Sequence, residues 1–143
     1  MFDHMIRVST RGLRSLAPLV LAAAAAACEN DVTVAPAPPR VSVTETFAGT
    51  LTPNDGETFP FPSQSGIVTA TLLTVLPDST LTLGLSLGTW NGVACAVVLA
   101  NDKATQGITI TGTVNTIGNL CVRVYDVGTV SEPQTYEVRV VHF

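Results

Sequence analysis

Hydrophobic and polar residues alternate with a period of two along most of the chain after residue 40. The clearest case is residues 81–87, where four leucines alternate with threonine, glycine and serine without interruption. This period places the two sets of side chains on opposite faces of a β-strand, so a second layer must cover the leucines. The pattern predicts about eight strands, at residues 41–51, 58–61, 66–76, 81–87, 93–99, 107–114, 120–126 and 135–141.

Breaks in the alternation predict the connections and irregularities. Pro60 and Pro62 lie on one face of the second strand and cannot donate to a hydrogen-bond ladder, which predicts an edge strand. The doublet Leu72-Leu73 interrupts the third strand and predicts a bulge. Residues 88–92, which contain the only tryptophan, are predicted to form a loop, and residues 100–106 a polar, irregular segment. Short strands with Gly- and Pro-rich punctuation favour an all-β sandwich.

The first 28 residues have the order of a secretory signal: basic residues, then an apolar core, then small residues. The core, which starts at Leu16, has about a dozen residues, fewer than the roughly 20 that a membrane-spanning helix needs. From this order alone, the segment is an ordinary cleaved signal or, less simply, a buried helix.

The tetrapeptide Ala25-Ala26-Ala27-Cys28 resembles the lipobox of bacterial lipoproteins. The resemblance implies that Cys28 receives a diacylglycerol and that the signal is cleaved before it. It also implies that the mature protein stays attached to the membrane through its N-terminal lipid. Glu29 in place of Asp disfavours retention at the inner membrane, so we expect an outer-membrane or cell-surface location.

The predicted organisation is a signal peptide at 1–27, a lipidated cysteine with a Pro-rich linker at 28–40, and one β-sandwich domain at 41–143. Removal of residues 1–27 leaves 116 residues, a length typical of one domain. This mature part has four basic and ten acidic side chains, a net charge of about −6. An acidic surface without basic clusters argues against a nucleic-acid partner and against electrostatic docking on anionic lipid.

Several positions of the domain resemble the bacterial pre-peptidase C-terminal (PPC) domain. They are Phe47, Gly49 and Leu51, the pair Phe59 and Phe61, Gly66, Asn101-Asp102, the run GNLCVRVYD at 118–126, and Tyr136, Val138 and Val140. The resemblance implies a jelly-roll-like antiparallel β-sandwich without catalytic activity. Some members of that family resemble collagen- or polysaccharide-binding modules, and some hold calcium. Calcium is therefore a secondary expectation, and no other cofactor is expected.

Two cysteines remain after Cys28. In an oxidising envelope, Cys95 and Cys121 are predicted to form a disulfide between neighbouring core strands, the alternatives being free thiols or metal ligands. His142 is the only histidine of the mature chain, and the motifs of serine hydrolases and zinc proteases are absent. We therefore expect no enzymatic activity.

Two sets of side chains are candidates for ligand contacts. Asn101, Asp102 and Asp126 carry oxygens that suit calcium, although Asn and Asp are also ordinary turn residues. Trp90, Arg123 and Tyr125 are candidates for stacking on a sugar or a partner side chain, the alternative being that Trp90 caps the core. The predicted function is a non-catalytic, lipid-anchored envelope domain that binds a protein or glycan, and the second hypothesis is an assembly component of an envelope complex.

Overall fold

Eight antiparallel strands form two four-stranded sheets in the computed structural model, which describes residues 36–143. The signal-like segment and Cys28 lie outside the described residues. The sheet orders are β1-β8-β3-β6 and β2-β7-β4-β5. Two packed four-stranded sheets with this strand order form a jelly-roll-like β-sandwich, so the predicted fold class is confirmed. The strands are β1 Val43–Leu51, β2 Gly56–Ser63, β3 Gly66–Leu76, β4 Leu83–Trp90, β5 Cys95–Ala104, β6 Thr109–Val114, β7 Gly118–Tyr125 and β8 Gln134–His142.

The core lies between the sheets and is built from the inward positions of the alternation. Leu83, Leu85 and Leu87 of β4 are buried, as the four-leucine pattern required, and they face the buried valines of β3 and β8. Burial of one such side chain contributes about 1.5–3 kcal/mol. Covering of the leucine face by a second sheet is therefore what holds the two layers together.

The edge strand and the bulge were predicted correctly. Strand β2 is the outer strand of its sheet, with Pro60 and Pro62 exposed. The pairing of β3 with β8 shifts register between Leu72 and Thr74, where the leucine doublet breaks the alternation.

Two predicted connections are strand instead. Trp90 was placed in a loop but is the last residue of β4, and Asn101 and Asp102 were placed in an irregular segment but belong to β5. Strands β4 and β5 form one long hairpin, paired from Trp90 with Cys95 to Leu83 with Ala104. Because Leu85 of β4 pairs with Asn101, this polar residue remains in the ladder despite its turn preference, and Asp102 lies at the register shift that follows.

The two ends of the sandwich differ in what they carry. The end at which the chain enters β1, here called the entry end, holds the connections at 64–65, 91–94 and 115–117 and the C-terminal Phe143. The opposite end, the far end, holds the connections at 52–55, 77–82, 105–108 and 126–133. Residues 36–143 contain no helix suited to crossing a membrane.

Candidate functional site

Arg123, Tyr125 and Asp102 form a cluster on the outer face of the sheet that contains β7, β4 and β5. The Tyr125 hydroxyl donates a hydrogen bond to Asp102 Oδ1, and Arg123 Cζ lies 5.2 Å from the centroid of the Tyr125 ring. Burial of the ring, followed by the nearby Asp102 carboxylate, raises the pKa of Tyr125 to about 12. The phenol is therefore protonated at neutral pH and acts as a donor. The structure thus joins two predicted binding residues to a predicted metal ligand.

The ring of Tyr125 packs directly on the backbone of β4 at Gly84. A Cβ atom added at Gly84 would lie 2.2 Å from Tyr125 Cε2. No other residue fits there unless the ring moves, so this glycine positions the cluster. One side of the ring is consequently used for packing.

Trp90 lies at the other end of the same sheet. In the pairing of β4 with β7, Gly84 is opposite Tyr125 and Thr89 is opposite Leu120. Trp90 is thus six positions along β4 from the residue beside Tyr125, about 20 Å at the rise of a strand. Trp90 and Tyr125 do not form one stacking surface.

Asp126 organises the turn that follows β7. Its Oδ1 accepts hydrogen bonds from three backbone N–H groups and its Oδ2 from a fourth; the donors are Gly128 at 2.8 Å, Thr129 at 2.9 Å, Val130 at 3.0 Å and Asn54 at 2.8 Å. Burial on its own would raise the pKa of Asp126, but these hydrogen bonds outweigh it and the pKa is lowered. This geometry is that of a turn-forming aspartate.

The other two calcium candidates are also engaged by the protein. Asn101 Oδ1 accepts from the Lys103 N–H at 2.9 Å, and Asp102 accepts from Tyr125. Within residues 36–143, no three His, Cys, Asp or Glu side chains are grouped so as to hold a metal ion. Calcium binding by Asn101, Asp102 and Asp126 stays a prediction.

Cys95 and Cys121 form the predicted disulfide, with an S–S distance of 2.05 Å. The strands that it joins are not neighbours, because β4 lies between β5 and β7. Strands two apart in a sheet are normally about 9.5 Å from each other, whereas these Cα atoms are 5.8 Å apart. Strand β5 therefore bends over the outer face of β4 at this point.

Gly88 makes that bend possible. A Cβ atom added at Gly88 would lie 2.3 Å from the carbonyl oxygen of Ala96 in β5. The register of β4 with β5 also shifts between Leu87 and Gly88. Sequence reasoning gave Gly88 to a loop and missed this role, although a glycine on the face opposite the leucines was a usable signal.

Beyond the bend, β5 presents an exposed apolar edge. It is the outer strand of its sheet, so one side of its backbone has no strand partner. Its residues Ala96, Val97 and Val98 are exposed, Val98 to 77%. This segment was predicted as a strand, but its position at the edge depends on the order of strands and was not predicted.

An apolar cleft opens between this edge and strand β6 of the other sheet. Its volume is about 330 Å³. Gly112 of β6 borders this open space, since a Cβ atom there would meet only Leu87 Cδ1, at 4.0 Å. The apolar residues that line the cleft are Val68, Leu87, Val98, Leu99, Val114 and Leu120.

Comparison with known proteins supports the fold. No protein-family model and no curated protein matches the chain. The crystal structure of the Yersinia pseudotuberculosis-derived mitogen is similar with a TM-score of 0.56 and 14% identity, over 72% of this chain and 88% of that one. PliG, a periplasmic inhibitor of g-type lysozyme from Aeromonas hydrophila, gives a TM-score of 0.47 at 14% identity, over 69% of this chain and 84% of that one. A subunit of the disulfide-linked pili of Bacillus endospore appendages gives 0.37 at 12% identity, over 71% and 87%.

At such identities the likeness to the mitogen concerns the fold alone. Residues 36–143 form an all-β sandwich in which the Cys95–Cys121 disulfide joins two strands of one sheet. Because structural disulfides persist in oxidising compartments, the Cys95–Cys121 bond is consistent with an extracytoplasmic location.

Proposed function

We propose that the protein is a non-catalytic, lipid-anchored domain of the cell envelope that binds a partner protein along the edge of β5. The lipobox-like sequence that ends at Cys28 supports the anchor, and the disulfide is consistent with the compartment. The observation that carries the binding role is the exposed apolar edge of β5 beside the cleft. We expect an outer-membrane or surface location.

The two edge strands of this sheet, β2 and β5, differ in whether their sequence blocks pairing with another strand. Strand β2 carries Pro60 and Pro62, which remove two N–H donors and block the addition of another strand. The exposed part of β5, residues 96–98, has neither proline nor charge. Edge strands that are not protected in this way pair readily with extended peptides, so β5 is the edge suited to a partner.

An extended peptide fits this site better than a sugar. Its backbone would pair with β5, and alternate side chains would enter the apolar cleft beside Val98 and Leu99. Glycan binding was predicted through an aromatic surface, but Trp90 and Tyr125 lie about 20 Å apart. We therefore assign the partner to the protein class.

The proposal also includes the absence of catalytic activity. It is supported by the hydrogen bonds that the candidate carboxylates make within the domain: Asp126 accepts from four backbone N–H groups, and Asp102 accepts from the Tyr125 hydroxyl. These contacts are those of a structural framework.

Site-specific crosslinking tests the binding role. A photo-crosslinking amino acid is placed at Val98 of the full chain and, as the matched control, at Leu76, an exposed apolar residue at the far end. The protein is produced in its own cells and irradiated. We expect a discrete adduct with a second protein from Val98 and none from Leu76.

Two results would overturn protein binding at β5. One is equal or absent crosslinking at the two positions. The other is an adduct that contains only copies of this chain, which would favour the alternative of an assembly component.

A further inference from the structure

Exposed apolar side chains are concentrated at the entry end. The described residues have eight large hydrophobic side chains that are exposed; two belong to the β5 edge and Leu76 lies at the far end. The other five lie at the entry end: Val41 (80% exposed), Val43 (43%), Ile67 (57%), Val93 (87%) and Ile117 (79%).

The topology explains why residues so distant in sequence share one end. Ile117 lies in the connection between β6 and β7, and Val93 in the hairpin between β4 and β5. Val43 is the first residue of β1 and Ile67 is the second residue of β3, and both strands start at this end. Exposing these side chains to water does not stabilise the domain, and exposed apolar residues that are grouped in this way mark a contact surface.

Acidic side chains are concentrated at the opposite end. At the entry end, the carboxylate of Glu45 lies 3.4 Å from Nε2 of the buried His142, and within residues 36–143 the other charged side chain at this end is Arg40. The far end and the strand residues next to it carry six acidic residues, Asp55, Glu57, Asp78, Asp102, Asp126 and Glu132, against the basic Lys103 and Arg123. An anionic membrane surface would repel the far end and tolerate the entry end.

The chain also leaves the sandwich at the entry end. Arg40 Nη1 donates to the Ser65 carbonyl oxygen at 2.5 Å and contacts Ser65 Oγ at 3.0 Å, which holds the start of the domain beside the connection between β2 and β3. Cys28 lies 12 residues before Arg40, a distance of at most about 40 Å for an extended chain. A lipid on Cys28 would therefore hold the entry end within about 40 Å of the bilayer.

We propose that the entry end rests on the bilayer, with Val93 and Ile117 in the boundary between headgroups and acyl chains; this orientation rests on the proposed lipid anchor at Cys28. The five exposed apolar side chains of the entry end thus contact the same membrane in which the Cys28 lipid is inserted. The β5 edge then faces sideways along the membrane surface, and the acidic far end points away from it.

The single tryptophan is a native reporter of this contact. Trp90 ends β4 at the entry end, beside the hairpin that carries Val93. The full, lipidated protein is reconstituted in phosphatidylcholine vesicles whose acyl chains carry bromine close to the headgroup. We expect strong quenching of Trp90 fluorescence. In the matched control, Trp90→Phe combined with Leu76→Trp moves the tryptophan to the far end and should abolish the quenching.

A second variant tests the side chains themselves. Val93→Asp combined with Ile117→Asp should reduce the quenching of Trp90 several-fold while leaving the urea unfolding midpoint unchanged, since both residues are exposed. Flotation of the vesicles separates the two proposals. Protein that does not float lacks the anchor; protein that floats but shows equal quenching of Trp90 and of the Leu76→Trp control contradicts the orientation.

Discussion

The hydroxyl of Tyr136 in β8 donates a hydrogen bond to the carboxylate of Glu57 in β2 and so links the two sheets. Tyr136 is 1% exposed, and its burial, followed by the Glu57 carboxylate, raises its pKa. The pair lies over Gly49 of β1, which is opposite Tyr136 in the β1 and β8 pairing. A Cβ atom at Gly49 would be 1.7 Å from Glu57 Oε2 and 2.6 Å from the Tyr136 hydroxyl.

Gly49→Ala should therefore destabilise the protein by displacing the link between Tyr136 and Glu57. We expect a loss of about 1–3 kcal/mol in the free energy of unfolding, typical of an overpacked interior. Urea unfolding measures it. The matched control is Gly112→Ala, also in a strand but with no atom nearer than 4.0 Å, for which we expect a change below about 1 kcal/mol. Equal effects of the two substitutions would contradict the role of Gly49.

Removal of the disulfide should weaken the sandwich without changing its topology. The bond closes a loop with a sequence separation of 26 residues, and chain-entropy models assign about 3 kcal/mol to such a loop. Cys95→Ala combined with Cys121→Ala should lower the free energy of unfolding by that amount. A reductant should destabilise the wild type equally and leave the double variant unaffected. If reduction does not lower the stability of the wild type, the bond is not a structural link.

Stability should fall in acid partly because of Asp126. Its folded-state pKa is below the ordinary value of 3.8, so it stabilises the folded state above pH 3.8 and this contribution is lost as the pH falls through the folded-state pKa. Urea unfolding at pH 7 and pH 3 measures the loss for the wild type and for Asp126→Asn. We expect the variant to be less stable at neutral pH and to lose less on acidification. Parallel losses in both proteins would show that other groups control the acid range.

Both tyrosines of the folded protein should remain almost entirely protonated at pH 10. The ordinary tyrosine pKa is 10.0, whereas that of Tyr125 is raised to about 12 and that of Tyr136 is also raised. Stability from Tyr125 is therefore complete below pH 10 and is lost as the pH rises through about 12. Tyrosinate absorbance measures the ionisation. Asp102→Asn should shift the titration of Tyr125 downward, and an unchanged titration would mean that the carboxylate has no influence.

The repeating pattern of residues was sufficient for the architecture. The leucines of β4 demanded a covering sheet, Pro60 and Pro62 marked an edge, and the doublet Leu72-Leu73 marked a bulge, all as observed. These features depend on which face a side chain occupies, and that is a local property. Strand ends were less accurate, since Asn101 pairs with Leu85 of β4 and Asp102 lies in β5 at the register shift that follows.

The site depends on relations that no local pattern contains. Trp90 was grouped with Tyr125 in the sequence-based prediction because both aromatic rings can stack on a ligand, but the register of β4 with β7 separates them. The β5 edge and its cleft follow from the order of strands across two sheets, which alternation does not determine. Gly84 and Gly88 show their roles only once Tyr125 and Ala96 are placed above them.

The most direct test of protein binding at β5 is the affinity of Val98→Lys for the protein that crosslinks at position 98. A charge at a strand edge that has to enter an apolar contact should raise the Kd about tenfold or more, equivalent to at least about 1.4 kcal/mol. Leu76→Lys, at a residue that is also apolar and exposed in the wild type but lies at the far end, should leave the Kd unchanged. Equal affinities of Val98→Lys and the wild type would contradict binding at this edge.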